Sequence, residues 1–155
     1  MDTTVTDRIE KQVIIAAPRS RVWQALTNAE EFGAWFKVDM TCVTFEPGKP
    51  AVGKMTFPGF EGMPFEIFID RIEPETLFSF RWHPYGIDPA YDYSAEPMTL
   101  VEFTLEDVDG GTRLTVVESG FDAIPLARRA EAFRMNTHGW TMQLGNLEAY
   151  VTQGH

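Results

Sequence analysis

Glu118 is the residue whose type and position most directly suggest chemistry. It follows Leu114 and Val116 at a spacing of two, so on a β-strand it shares their inward face. A carboxylate turned toward an apolar interior is costly unless paired, and burial raises its pKa. Such a group can orient the polar end of a ligand or act as an acid or base. It can equally pair with an arginine such as Arg134, or reach solvent at the rim of the sheet. The other titratable residues offer less. His83 takes the outward parity of its strand, His138 lies about 130° from the centre of a helical apolar stripe, and His155 is terminal. There is no HExxH, His–Cys cluster or close set of carboxylates, so neither a metal site nor a cofactor is expected. Ser20, Ser79, Ser94 and Ser119 stand outside any GxSxG context, no GxGxxG or P-loop occurs, and the ligands of a Rieske centre are missing. No catalytic set is assigned. The single cysteine, Cys42, excludes an internal disulfide and reads as a small buried strand residue.

Around Glu118 the sequence supplies aromatic groups. Nine of the twelve phenylalanines fall between Phe32 and Phe80, with Trp35 and Trp82. In LFSFRWH, period two puts Phe78, Phe80 and Trp82 on one face and Ser79, Arg81 and His83 on the other. Pro84 to Pro97 is long for a connection and holds Tyr85, Tyr91 and Tyr93, three of the four tyrosines. It reads either as an aromatic-pinned surface loop or as a flap over a pocket mouth. Candidate ligand-binding residues are therefore Phe36, Met40, Phe57, Phe65, Phe80, Trp82, Phe103 and Trp140, with Tyr91 from the loop and Glu118 for a polar end. They would line a cavity for a small hydrophobic or amphipathic molecule. The competing expectation is a fully packed aromatic core. An enzyme using Glu118 with a loop tyrosine or histidine is a further alternative.

The elements that must position these residues can be read from periodicity. Arg8–Ala16 is a strand with Ile9, Val13 and Ile15 on one side. Pro18 suits the first position of a short helix with Val22 and Leu26 inward. Thr27 and Glu30 read as a capping box opening a second short helix, which carries Phe32, Trp35 and Phe36. Candidate strands follow at Val38–Phe45, Gly53–Phe57, Pro64–Ile72, Leu77–His83, Met98–Val108 and Thr112–Ser119, with Asp107–Gly111 as a hairpin turn. Inward parity falls on Val101, Phe103, Leu105, Leu114 and Val116. Ile124–Val151 is one long helix whose stripe is Leu126, Ala130, Phe133, Thr137, Trp140, Leu144, Leu147 and Val151. Met135 and Met142 fall on its outer side, a candidate contact patch, and a homodimer is one expected state. Strands in succession with a closing amphipathic helix predict an α+β fold, a curved antiparallel sheet around the C-terminal helix.

Composition bounds the rest. The 155 residues are 44% hydrophobic and 23% charged, which predicts a single domain over 1–155 with its core at about 8–151. A net charge of −10 argues against nucleic acid and anionic lipid surfaces as partners. The opening MDTTVTDRIEK has neither a basic n-region nor an apolar h-region, so no signal peptide is expected. No apolar run reaches membrane-spanning length, membrane insertion is not expected, and the expected location is the cytoplasm.

IIAAPRSRVWQALTNAEEFGAWF, LFSFRW, TLVEFTLED…GGTRLTVVESGF and the closing helix with HGW and NLEAYV together resemble the activator of heat-shock-protein ATPase homologue family. That family lies within the START-like (SRPBCC) superfamily, and the resemblance runs from about Arg8 to Val151. It implies a helix-grip fold with a deep cavity between the long helix and the sheet. It also implies relatives that stimulate a chaperone ATPase, and wider relatives that bind lipids, hormones or polyketides or act as cyclases or hydrolases.

Overall fold

The computed structural model describes residues 8–56, 58–84, 93 and 95–153. Strand β1 (Arg8–Ile15) leads into α1 (Arg19–Thr27) and α2 (Ala29–Phe36), then β2 (Val38–Asp39), β3 (Pro50–Met55), β4 (Pro64–Glu73), β5 (Leu77–Trp82), β6 (Thr99–Val108) and β7 (Gly111–Ser119). A 3-10 turn at Phe121–Ala123 precedes α3 (Leu126–Thr152). The seven strands form one antiparallel sheet in the order β1-β7-β6-β5-β4-β3-β2. From β2 to β7 it is a meander, each strand pairing with the next in sequence. β1 closes the other side by pairing with β7 from Arg8↔Ser119 to Ile15↔Thr112. The α+β architecture expected from periodicity is the one found.

Inward parity is largely as read: Ile9, Ile15, Phe78, Phe80, Val101, Phe103, Leu105, Leu114 and Val116 are all buried, as are Val22 and Leu26 of α1. Five local expectations are corrected, most of them by a polar side chain or a bulge that hydropathy does not weigh. The second strand stops at Asp39 rather than running to Phe45, because the Asp39 carboxylate accepts from the Thr41 backbone N–H at 3.0 Å and from its hydroxyl at 2.6 Å, turning the chain. Cys42 accordingly lies in that turn, exposed and with φ 64°, and is not a buried strand residue. The cap of α2 is Asn28, whose side chain accepts from the Glu31 N–H at 3.1 Å, while Thr27 ends α1 with its hydroxyl on the Trp23 carbonyl. Pro18 likewise caps α1 from just outside it. Ser79 is buried rather than outward. The register shifts between Ile69 and Arg71, and there the Ser79 hydroxyl accepts from the Arg71 N–H and donates to Asp70.

Helix α3 packs on β1 and on α2. Its buried positions are Ala132, Trp140, Gln143, Leu144, Leu147 and Val151. The predicted stripe holds from Trp140 onward and fails at the start, where Leu126 is 78% exposed and Ala130 is exposed too. The polar residues on the inner side explain the displacement: the Gln143 amide donates to the Phe36 carbonyl at 3.1 Å, and Asn136 turns toward the sheet. Core positions filled by amides carry no apolar signal.

Candidate functional site

Adjacent strands bring three side chains together on the inner face of the sheet. Trp82 on β5 is opposite Thr99 on β6, and Val101 of β6 is opposite Glu118 on β7. Period two then sets Trp82, Thr99 and Glu118 on the face that α3 covers. From α3, Asn136 and Trp140 project onto the same point, being one turn apart. The Glu118 carboxylate is 0% exposed and accepts from all four neighbours. Oε2 receives the Trp82 indole N–H at 2.7 Å and the Thr99 hydroxyl at 2.6 Å. Oε1 receives the Trp140 indole N–H at 2.8 Å, and the Asn136 amide bridges both oxygens at 3.0 and 3.2 Å.

Each of these partners is neutral. Among the described residues no lysine, arginine or histidine forms an ion pair with Glu118, so neither sequence alternative, an Arg134 pair or a solvated rim position, is realised. Arg134 is two residues from Asn136, about 200° around the helix, and faces away. Burial pushes the Glu118 carboxyl above its ordinary value of 4.5, against the opposing pull of Thr99, Trp82, Trp140 and Asn136. The arrangement can hold a proton or present an anion to a donor group. No group of three or more His, Cys, Asp or Glu able to hold a metal is found among the described residues.

The aromatic candidates converge on this carboxylate. Trp82 and Trp140 stack with centroids 5.7 Å apart, Trp140 meets Phe103 at 5.6 Å and Phe36 at 6.1 Å, and Trp82 meets Phe80 at 5.3 Å and Phe65 at 6.1 Å. Phe36, Phe65, Phe80, Phe103 and Trp140 are buried, and Trp82 is half-buried. These rings touch one another, as in a packed aromatic layer. Met40 is buried elsewhere, against Gly33 and Gly53 at the edge of the sheet. Phe57 and Tyr91 lie outside the described residues. Thr99 and Asn136 complete the site and were not expected, although Thr99 has the inward parity of Val101 and Asn136 sits one turn before Trp140.

Of the loop, Tyr85 lies outside the described residues with Tyr91, while Tyr93 and Glu96 are described. Glu96 is buried and pairs with Arg128 at the start of α3, Nε donating to Oε1 at 2.8 Å while Nη2 lies 2.7 Å from the same oxygen without a hydrogen bond. The same guanidinium donates to the Pro84 carbonyl at 2.7 Å and lies 4.9 Å from the Tyr93 ring centroid. His83 is half-buried, with Nε2 3.1 Å from the Glu96 carbonyl oxygen. Clefts among the described residues include two on the surface. One, about 430 Å³, runs between β1 and α3 and is lined by Lys11, Phe133, Arg134, Thr137, His138 and Thr141. The other, about 390 Å³, borders α2 and β2 and includes Glu30, Lys37, Asp39 and Thr56.

A curved antiparallel sheet holding a long C-terminal helix, with two short helices after the first strand, defines the helix-grip class of START-like domains. The family described as Activator of Hsp90 ATPase homolog 1-like protein matches residues 16–152, and the chain belongs to it. Protein MLL2253 from Mesorhizobium loti has a similar fold at TM-score 0.73 and 22% identity, over 96% of this chain and 98% of that one. NE0264 from Nitrosomonas europaea is similar at TM-score 0.71 and 20% identity, with all of both chains covered (100% each). DynU16, a protein in the dynemicin biosynthetic locus, is similar at TM-score 0.69 and 26% identity over 96% of this chain and 48% of that chain. No curated protein matches the sequence. Among the described residues no helix is long and apolar enough to cross a membrane.

Proposed function

We propose that this domain binds a small amphipathic molecule between the sheet and α3, with the polar end of the ligand donating to Glu118. One observation carries the reading: a wholly buried carboxylate, ringed by aromatic side chains, has only neutral donors for partners. Isolated charge in an apolar layer is costly, and a fold that needs only stability is served by apolar residues there. The half-buried Trp82 and Asn136 are the way in, since both reach the surface while touching the carboxylate. Parting the Trp82–Trp140 stack would seat an apolar body among rings that already meet face to edge. The charge sets the ligand's polar group: an alcohol or amine adds a donor, whereas a fatty-acid carboxylate is repelled unless Glu118 is protonated. The place of DynU16 in a biosynthetic locus lends this small-molecule reading support.

Native mass spectrometry of gently purified protein, followed by a thermal-shift panel of long-chain alcohols, amines, fatty acids and aromatic polyketides, tests it. A ligand at a hundred-fold excess over its Kd adds about 2.7 kcal/mol, a rise of about 5–10 °C for a domain of this size. Alcohols or amines should give that rise, and Glu118→Gln should reduce it. If no co-purified mass appears and no compound raises Tm, the reading fails. Loss of turnover in Glu118→Gln with affinity kept would assign an enzyme instead.

A further inference from the structure

Lys11 stands where β1 should present an apolar group. Its parity is that of Ile9, Val13 and Ile15, the inward face of the strand, and it is half-buried. The side chain meets α3 in the cleft of about 430 Å³, across from Arg134 and His138, which are one turn apart on the helix. We propose that this groove is a second binding site, for a small organic anion with a carboxylate or phosphate-monoester head on an aromatic or short acyl body.

The charge pattern of the chain supports this. Of the 13 basic residues, Arg8, Arg19, Arg21, Lys49, Arg71, Arg113 and Arg128 are ion-paired, while Lys37, Lys54, Arg81 and Arg129 lie outside the groove. Lys11, Arg134 and His138 form no ion pair among the described residues, yet they share one groove. Thr137 and Thr141 stand on the same wall with their hydroxyls donating to the Phe133 and Thr137 carbonyls, and half-buried Phe133 gives an apolar floor. Donors that fork around a carboxylate or phosphate, beside a flat apolar surface, suit an anion with a ring or short chain attached. The site is independent of the interior one, whose Glu118 would repel the same head group.

An inward lysine on an edge strand has a rival explanation, since such charges also guard sheet edges against pairing with other chains. Amide chemical-shift titration of the full chain with 4-phenylbutyrate and with phenyl phosphate separates the two. The expected result is saturable shifts confined to residues 9–13 and 133–141, weakening as salt is raised. Binding of 4-phenylbutanol should be at least about ten-fold weaker. Lys11→Gln and Arg134→Gln should each weaken the anions ~5-fold, the upper range for a surface ion pair, and Glu118→Gln should leave them unchanged. Shifts elsewhere, no shifts, or an alcohol that binds as well as the acid would overturn the proposal. Variants that bind like the parent would do so too, and a Lys11→Gln protein that self-associates while binding normally would establish the edge guard. Should either variant fail to fold, the salt and alcohol comparisons on the unaltered chain decide alone.

Discussion

Thr99→Val is the cleanest probe of the buried carboxylate. Valine keeps the branched shape and the strand preference and exchanges one hydroxyl for a methyl. Thr99 is 0% exposed and its hydroxyl donates to Glu118 Oε2 at 2.6 Å, the shortest bond in the site. A hydrogen bond to a charged group contributes about 1.5–3 kcal/mol, and burying the extra methyl returns about 0.8 kcal/mol. The net loss is then about 1–2 kcal/mol, or a fall in Tm of about 2–8 °C for a chain of this length. Urea denaturation at constant m-value measures it. The sign of the pH dependence follows from burial, which raises the Glu118 pKa above 4.5 in the folded state. A raised carboxylate contributes stability that is full below its unfolded pKa and is lost as pH rises through the folded one. Removing Thr99, one of the groups that lower that pKa, enlarges the loss, so the valine deficit grows from acid to neutral pH. In a cycle with Glu118→Gln the deficit should shrink, giving a coupling of about 1 kcal/mol. A valine variant as stable as the parent at neutral pH, or one with the same deficit in both backgrounds, would refute the electrostatic account of the site.

Two further substitutions test the scaffold around it. Gly33→Ala sets a gain in helix propensity of about 1 kcal/mol against a methyl 2.4 Å from the Val38 carbonyl oxygen, a backbone atom with no room to yield. The clash should win, with a net loss of about 1–3 kcal/mol read as a lower urea midpoint. Lys37→Gly should do the opposite: Lys37 closes α2 at φ 71°, a left-handed conformation that glycine adopts without strain, so Tm should rise by about 1–2 °C.

The sequence reading succeeded where a single period governed a segment and failed where a polar side chain bonded to something distant or local. Phe78, Phe80, Val101, Phe103, Leu114 and Val116 alternate, and the sheet they imply is the sheet found. Beyond Asp39 the apolar pattern continues through Met40, Val43 and Phe45, yet the chain turns, because the Asp39–Thr41 bonds offer the backbone a local alternative to a ladder. On α3 the stripe was misplaced at its start for the converse reason. Asn136 and Gln143 fill inner positions with amides whose acceptors, Glu118 and the Phe36 carbonyl, lie far away in sequence.

The inward turn of Glu118 is legible from parity, but its partners are not the cations that an inward acid suggests. An acid in an apolar layer invites a search for a base, but buried indoles have the complementary need. A tryptophan with its ring in the core must find an acceptor for its N–H. Trp82 had the inward parity of its strand and Trp140 the inner face of its helix, so two donors lacked acceptors where one acid lacked donors. The structure joins them at 2.7 and 2.8 Å. Neutral donors also leave the charge uncancelled, whereas an arginine would have neutralised it. If the polar end of a ligand meets Glu118, as proposed, that residual charge favours an alcohol or amine over an acid.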